Sequence, residues 1–332
     1  MTTFLDSLGG FLILTLFKNY FPHQSGISFI VSTFYDKRAL RDSSMSIKKY
    51  HIGLTQWGFK DWKGEFFTKK AKPDAFLKQY ASVFNTVEGN TTFYRISDLD
   101  TIEHWGSQVE SEFKFCFKFP RQITHFKRLK HVTEEVLDFL DKFSPIRRNL
   151  GPFHIQLSSQ FSYNEIDKLE FLLETLPGHL SFAVEVRHPD FYDKGKMERH
   201  FEGLLRSYGI NRVVFDTRRL HALKNDDPTV IEAQKKKPKT PIRFTATGSN
   251  PFVRFVGAND VLNNEAYLKE WAIITADWIK DGKHPYIFIH SPDTLSAPTL
   301  ARFFHQELSK LIDLNPMPEW PAEMENKQLG LF

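Results

Sequence analysis

The sequence predicts an α/β protein whose single domain is a closed parallel (β/α)8 TIM barrel, and three observations support this fold. Short runs rich in Phe, Val and Ile recur along the chain, and each is followed by a turn and a segment of helical periodicity. Eight such runs are present. The chain has neither a glycine-rich dinucleotide turn nor a long break in composition, which favours a closed barrel over an open doubly wound sheet.

The individual elements follow from hydrophobic periodicity and from the residues that begin and end each run. Strands are predicted over residues 51–57, 84–90, 113–119, 152–157, 181–187, 211–217, 251–257 and 285–290. Helices are predicted over residues 74–83, 99–109, 133–143, 164–176, 196–208, 264–280 and 298–312, with start and stop signals such as Pro298 and Gly209. The sixth crossover, 218–243, is irregular, and we interpret its lysine-rich stretch 235–239 as a solvated loop.

Composition and charge narrow the class of protein. Hydrophobic residues at 41% and charged residues at 25% exclude a wholly disordered chain and a polytopic membrane protein. The net charge of +4 allows an anionic partner but does not indicate a surface that coats nucleic acid. Cys116 is the single cysteine and cannot form an intrachain disulfide, so we expect a reducing compartment, the cytoplasm.

The two ends of the chain are predicted to lie outside the barrel. The apolar run 11–17 is shorter than the roughly 20 residues that cross a bilayer, and its flanks lack the pattern of a signal peptide. Strand-like patterning begins only after Met45, so we predict an extension over 1–44, the barrel over 45–314 and a flexible tail over 315–332. A membrane-touching amphipathic helix in the extension is the alternative, although it lacks a basic face; we expect no membrane partner.

The alternation of side chains along the strands indicates where the chemistry lies. In 113–119 the phenylalanines form one face, suited to the helix layer, so Lys118 points into the barrel near the carboxyl end of its strand. The same test places one polar residue near the carboxyl end of nearly every strand: Glu88, Lys118, Gln156, Glu185 (continued by Arg187), Asp216, Arg254 and His290. Barrel interiors are normally apolar, so this ring predicts an active-site floor. The alternative is a buried charge network that only closes the barrel.

Several longer motifs resemble the YecE-like family, a TIM-barrel domain family of unknown function. They are Gly53-Leu54-Thr55-Gln56-Trp57, Phe84-Asn85-Thr86-Val87-Glu88, Asn90-Thr91-Thr92-Phe93-Tyr94-Arg95, Phe119-Pro120-Arg121-Gln122-Ile123-Thr124-His125, Gln156-Leu157, Val184-Glu185-Val186-Arg187-His188-Pro189 and Phe215-Asp216-Thr217. The resemblance implies the barrel but no established reaction. Its motif positions carry over to Trp57, Glu88, Asn90, Tyr94, Arg95, Lys118, Arg121, His125, Gln156, Glu185, Arg187, His188, Asp216 and Arg254. Relatives continue the seventh strand as Arg-x-His-Gly, whereas this chain has Arg254-Phe255-Val256-Gly257.

The candidate residues have an excess of cations, which suits an anionic substrate such as a phosphate-bearing small molecule or nucleic acid. The leading interpretation is therefore an enzyme, a candidate hydrolase that acts on phosphoesters or nucleic acid. The alternative is a non-catalytic protein that binds an anion or a nucleotide. We assign catalysis to Glu88 or Glu185 as base, His125 or His188 as acid and Lys118 or Arg187 as charge stabiliser, with Asp216 beside them. The residues assigned to substrate binding are Trp57, Asn90, Tyr94, Arg95, Arg121, Gln156, Arg187, His188, Arg254 and His290.

Two other kinds of site stay open on the sequence. Glu88, Glu185, Asp216 and His290 are oxygen and nitrogen ligands of the type that divalent metals use, although the neighbouring Lys and Arg residues would repel a cation. The cofactor is thus unknown from the sequence, and a divalent metal is possible. A retaining glycosidase would need two carboxylates about 5 Å apart, and Glu88 and Glu185 come from non-adjacent strands. Trp57, Trp62 and Tyr94 are suited to hold a sugar or a base but equally to fill space beneath loops.

The last five residues, Gln328-Leu329-Gly330-Leu331-Phe332, resemble the clamp-binding peptide of bacterial polymerases and repair proteins. In that interpretation Gln328 sets the register, and Leu329, Leu331 and Phe332 occupy apolar pockets of the bacterial DNA sliding clamp. The alternative is that Leu331 and Phe332 fold back onto the barrel.

Overall fold

The computed structural model describes residues 50–224 and 226–329. Eight parallel strands form one sheet in this part of the chain. They are β1 His51–Leu54, β2 Thr86–Gly89, β3 Lys114–Phe117, β4 Phe153–Gln156, β5 Phe182–Glu185, β6 Asn211–Asp216, β7 Phe252–Val256 and β8 Tyr286–His290. Each lies within a predicted run, so all eight strand predictions are confirmed, with shorter bounds.

The strand order shows that the sheet curls into a barrel. Hydrogen-bonded neighbours follow the order β3-β2-β1-β8-β7-β6-β5-β4, so β3 and β4 lie at the two ends of the sheet. Two isolated bridges, Phe115 with Leu150 and Lys118 with His154, bring these ends together. The Phe119 amide donates to the His154 carbonyl at 2.9 Å. The predicted (β/α)8 barrel is therefore confirmed, in a nearly closed form.

Helices follow the strands around the outside. They are α1 Phe76–Ala81, α2 Leu99–Ser107, α3 Thr133–Asp141, α4 Ile166–Thr175, α5 Lys196–Ser207, α6 Arg218–Ala222, α7 Pro228–Lys236, α8 Glu265–Lys280, α9 Ala297–Ser309 and α10 Pro321–Leu329. The seven predicted helices are confirmed. The irregular sixth crossover contains α6 and α7, which lie beside the carboxyl ends of the strands. Among the described residues, no helix has the length and apolar character needed to cross a bilayer.

Phenylalanines fill the layer between barrel and helices, as the alternation along β3 predicts. The Phe117 ring stacks on Phe143 with 4.2 Å between centroids, and both rings are buried. The burial of each ring contributes about 2 kcal/mol to the free energy of unfolding. Inside the lower half of the barrel, Cys116 packs with Phe252 and Phe288. Burial raises the pKa of the Cys116 thiol, which makes it an unreactive core residue. This apolar plug leaves the upper half for polar groups.

The segment before the carboxyl terminus is ordered against the barrel, where the sequence predicts a flexible tail. The Trp320 ring packs on Phe66 at 5.7 Å and on the Arg302 guanidinium at 3.7 Å. Arg302 forms a bidentate ion pair with Glu323 in α10, at 2.6 and 2.9 Å. Residues 320–327 thus pack against the barrel through an aromatic side chain and an ion pair, which differs from the flexible tail that the sequence predicts. The predicted extension 1–44 and the residues Gly330, Leu331 and Phe332 lie outside the described residues.

Candidate functional site

The centre of the site is Arg254, on the inner face of β7. Its guanidinium donates to Glu88 on β2 at 3.1 Å and to Glu185 on β5 at 2.7 Å. All three side chains are almost completely buried. The Arg254 guanidinium also lies 4.4 Å from the centroid of the Phe215 ring, which comes from β6. One guanidinium thus connects carboxylates from two non-adjacent strands.

His154 joins the same two carboxylates and was missed by the sequence analysis. Its Nε2 atom lies 3.1 Å from Glu185 Oε2, and its Nδ1 atom lies 3.6 Å from Glu88 Oε1. The residue is fully buried on β4. It lies two positions before Gln156 and shares its inward face, so the alternation rule would have identified it.

The environment keeps both carboxylates ionised. Burial alone would raise the pKa of Glu88, but Arg254, His154 and His290 hold it well below its usual range. Burial opposes ionisation of Glu185 in the same way, and Arg187 and Arg254 outweigh it and lower the pKa. A carboxylate of low pKa is a weak base and cannot serve as a proton donor near neutral pH. This weighs against the base role predicted for either glutamate and against a glycosidase pair.

Arg187, Gln156 and His125 form the next layer towards the opening. Arg187 donates to Glu185 at 2.7 Å through Nε and to the Gln156 side-chain oxygen at 2.7 Å through Nη2. The His125 Nε2 atom lies 3.4 Å from the Gln156 side-chain nitrogen. Burial and the positive charges of Arg187 and Lys118 lower the pKa of His125 to about 4. His125 is therefore neutral at pH 7 and unsuited to the acid role predicted for it.

Lys118 is a buried cation that forms no ion pair with any residue that the structure describes. Its ammonium lies 3.4 Å from the Asn90 side-chain oxygen and 5.0 Å from the centroid of the Phe93 ring. Among the described residues, no carboxylate lies within ion-pair distance of it. Burial, together with the charge of Arg254, lowers the pKa of Lys118 to about 7. A lysine that titrates near neutral pH can both bind an anion and transfer a proton.

Lys237 enters the site from the irregular crossover, immediately after α7. Burial and the charge of Arg254 lower its pKa to about 8. It lines a cavity of about 250 Å³ at the carboxyl ends of β1, β7 and β8, together with His290 and Ser291. Its carbonyl oxygen lies 3.2 Å from the His221 ring. The interpretation of 235–239 as a solvated loop is therefore wrong for Lys237.

His290 connects this cavity to the central cluster. Its Nε2 atom lies 3.3 Å from Glu88 Oε2, and the side chain is buried on β8. Burial lowers the pKa of His290 to about 3, in spite of the neighbouring Glu88 carboxylate. The residue is thus a neutral wall of the cavity, beside the ionised glutamate.

Asp216 does not belong to the ring that the alternation rule predicted. Its carboxylate accepts from Arg218 at 2.8 Å and from the Trp271 indole of α8 at 2.8 Å. It shares the outer face of β6 with Arg212, which pairs with Glu198 of α5. The inward residue at this end of β6 is apolar Phe215. The structure therefore places Asp216 on the other face of the sheet from the remaining predicted catalytic residues of the strands.

Two further predicted binding residues lie away from the cluster. The Trp57 ring packs edge-on against Trp105 of α2 at 5.3 Å and against Phe115 at 6.0 Å, so it fills space in the helix layer. His188 accepts a hydrogen bond from the Asp190 amide at 3.3 Å and caps the short helical turn that follows β5. Its contacts are local. Trp57 thus fills space, which is the alternative that the sequence left open for it, and His188 caps a turn.

The remaining predicted residues form the rim of the opening. Asn90 joins the rim to the interior, because its side-chain nitrogen donates to the Thr55 carbonyl at 3.2 Å. Tyr94, Arg95 and Arg121 are exposed at the surface. The Arg121 guanidinium lies 5.5 Å from the centroid of the Tyr94 ring. These side chains are free to contact a molecule that approaches the mouth.

The geometry of the cluster disfavours a metal ion. The potential ligands Glu88 and Glu185 both point at the Arg254 guanidinium, whose charge occupies the position that a cation would take. Asp216, the third carboxylate considered as a ligand, lies on the other face of the sheet. Within residues 50–224 and 226–329, no group of three or more His, Cys, Asp and Glu side chains is arranged to hold a metal ion.

Comparisons with known proteins agree with this architecture. Residues 51–323 match the family described as protein of unknown function DUF72. The UPF0759 protein YecE of Escherichia coli K12 is 35% identical over 274 residues, covering 82% of this chain and 98% of the relative. A DUF72 family protein of Thermotoga maritima has a similar solved structure, with a TM-score of 0.60 and 24% identity over 78% of this chain and 99% of that one. One from Enterococcus faecalis gives a TM-score of 0.58 at 18% identity, covering 80% of this chain and 98% of that one. The chain therefore belongs to the DUF72 family of YecE-like proteins.

Proposed function

We propose that the barrel mouth binds a phosphate-bearing anion between Lys118, Lys237 and Arg187, and that the protein is an enzyme acting on that ligand. The observation that carries the proposal is the charge balance of the cluster. Glu88 and Glu185 are matched by two guanidiniums, which leaves two inward-facing lysines without a carboxylate partner among the described residues. A doubly charged anion would neutralise them. Burial makes that neutralisation more favourable than it would be in water.

The proposed chemistry is proton transfer during phosphoester cleavage. Burial lowers the pKa of Lys118 to about 7, so this side chain can hold and release a proton near neutral pH. A water molecule would attack the phosphorus and lose a proton to solvent as the bond to the leaving oxygen breaks, and Lys118 would donate its proton to that oxygen. Arg187 and Lys237 would stabilise the charge on the phosphoryl oxygens. Arg254, Glu88 and Glu185 act as positioning residues, since they contact one another and hold Arg187 in place.

Phosphate binding tests the anion site. Calorimetric titration with inorganic phosphate at pH 6.5 should show binding by the wild type, and K118M and K237M should each weaken it about tenfold, the usual cost of a lost charge-assisted contact. Lys235 is an exposed lysine of the same segment, so K235M is the matched control and should bind like the wild type. Equal binding by all four proteins, or none by the wild type, would remove the proposal.

Turnover separates an enzyme from the alternative, a non-catalytic binding protein. A panel of phosphomonoesters and phosphodiesters, including short nucleic acids, should contain a substrate that the wild type cleaves. K118M should lose this activity by more than its loss in phosphate affinity, because the lysine has a second role as proton donor. Binding without cleavage of any compound would favour the binding protein.

We also propose that the carboxyl terminus binds the bacterial sliding clamp. Arg302 and Glu323 hold α10 against the barrel, and the residues that resemble the clamp-binding peptide begin in its last turn. An anchored helix that leads directly into the peptide would place the barrel close to DNA. Purified clamp should bind the wild type, but not a chain ending at Lys327 or the double variant L331A/F332A. M324A changes an exposed apolar residue of the same helix and should retain binding.

A further inference from the structure

Three side chains at the mouth, Tyr94, Arg121 and Phe126, form an exposed surface that we call the rim platform. The Arg121 guanidinium lies between the two rings, 5.5 Å from the Tyr94 centroid and 5.3 Å from the Phe126 centroid. Tyr94 is 71% exposed and Phe126 is 64% exposed. Neighbouring exposed rings form a larger apolar patch than a single exposed side chain, and such patches mark interaction sites. The platform therefore presents planar surfaces and a positive charge to solvent.

The rim platform is continuous with Lys118, the buried lysine of the proposed anion site. Phe93 makes edge contacts with Tyr94 and with His125, both at 5.0 Å between centroids. The Lys118 ammonium lies 5.0 Å from the centroid of the same Phe93 ring. One aromatic ring thus separates the platform from the proposed anion site, so a single small molecule can reach both.

The cavity that Lys237 lines is also cationic at its surface. Lys236, in the last turn of α7, forms an ion pair with Glu232 and lines the same cavity. The next residue is Lys237, which points into the cavity. Lys236 and Lys237 thus add positive charge to the cavity at the carboxyl ends of β1, β7 and β8.

We propose that the rim platform stacks the nucleobase of a nucleotide whose phosphate lies between Lys118 and Lys237. This inference rests on the proposed function and names the class of its ligand. Planar bases stack on aromatic rings and on arginine guanidiniums, and the contact tolerates different bases because each has a π face. The charges match as well, since a nucleotide carries its negative charge at the end that would enter the barrel. A sugar phosphate without a base would fill only the inner part.

Two ligands that differ only in the base test the proposal. Calorimetric titration with AMP and with ribose 5-phosphate should show AMP binding about tenfold more tightly to the wild type, the magnitude expected of one stacked base. Y94A/F126A should bind AMP as weakly as ribose 5-phosphate and should leave the affinity for ribose 5-phosphate unchanged. Because both rings are more than half exposed, the double variant should fold normally, which its melting temperature checks.

A matched control and a second variant sharpen the result. Phe171 is 58% exposed and lies in the outer helix α4, outside the rim platform. F171A should therefore bind AMP like the wild type. R121K keeps the charge but loses the planar group, and it should lose part of the advantage of AMP. Equal affinity of the wild type for both ligands would overturn the rim platform and leave the anion site standing. No binding of either ligand would overturn both.

Discussion

The Lys118 ammonium lies 3.4 Å from the side-chain oxygen of Asn90, inside the barrel mouth. This amide oxygen is polar but uncharged, so it cannot offset the cost of removing the ammonium from water. The nearby guanidiniums of Arg254 and Arg187 repel the same proton. The arrangement is unfavourable for the free protein and becomes favourable once an anion arrives, which is characteristic of a binding site rather than of a packing core.

Replacing Lys118 by methionine should stabilise the protein at low pH. The pKa of Lys118 falls from 10.5 to about 7 on folding, so the folded state binds fewer protons than the unfolded state between these values. Lys118 therefore lowers the free energy of unfolding by its full amount below pH 7, and this effect disappears as the pH rises through 10.5, the pKa of the lysine in the unfolded chain. K118M should therefore melt higher than the wild type at pH 6, by an amount equivalent to a few kcal/mol, and the gap should narrow by pH 10. A lower melting temperature for K118M at pH 6 would show that the lysine is a stabilising part of the network.

Asp216 and Glu185 lie on opposite faces of the barrel wall, so their replacement should affect phosphate binding differently. D216N breaks contacts with Arg218 and Trp271 on the outer face, so it should cost about 1–3 kcal/mol and leave phosphate affinity unchanged. E185Q removes the negative charge that compensates the guanidiniums of Arg187 and Arg254. It should therefore cost about 3–5 kcal/mol of unfolding free energy. The folded fraction of E185Q should bind phosphate less tightly, because Arg187 loses the charged partner that holds it in place. Loss of phosphate binding in D216N would restore Asp216 to the site.

The alternation of side chains along strands predicted most of the buried cluster. Glu88, Lys118, Glu185 and Arg254 were identified in this way because each lies on a short strand with apolar neighbours on the other face. The rule failed for Asp216, which lies on the outer face of β6. There the Trp271 indole of α8 donates a hydrogen bond to its carboxylate, so a buried charge is tolerated outside the barrel interior. Sequence alone does not show which helix supplies such a partner.

The residues that the sequence did not predict come from outside the strand pattern. Lys237 reaches the mouth from a crossover without regular periodicity, so its position depends on tertiary contacts such as the 2.9 Å bond from the Thr217 hydroxyl to the Pro238 carbonyl. The position of α10 likewise depends on the contact between Arg302 in α9 and Trp320 just before α10, two residues that are separated in sequence. Local patterns predict elements and faces, but not these long-range anchors.

The segment that carries α10 should contribute to stability. Ala322 and Phe66 are buried where the segment meets the loop after β1, and the Ala322 amide donates to the Phe66 carbonyl at 3.2 Å. A chain ending at Glu319 should lose about 1–3 kcal/mol of unfolding free energy, because it uncovers these groups. A chain ending at Lys327 is the control and should melt like the full chain. Identical denaturant midpoints for both would mean that the segment adds no stability.

Proton uptake on anion binding tests the central claim most directly. Sulfate is a suitable probe because it stays a dianion between pH 6 and 9, so any proton taken up enters the protein. Calorimetric titration at pH 8 in buffers of different ionisation enthalpy should show uptake of about one proton per sulfate by the wild type, since binding raises the pKa values of Lys118 and Lys237 from about 7 and about 8. The affinity should fall from pH 6.5 to pH 9, and K118M/K237M should lose both effects while K235M retains them. Sulfate binding without proton uptake, or uptake that persists in K118M/K237M, would contradict the account.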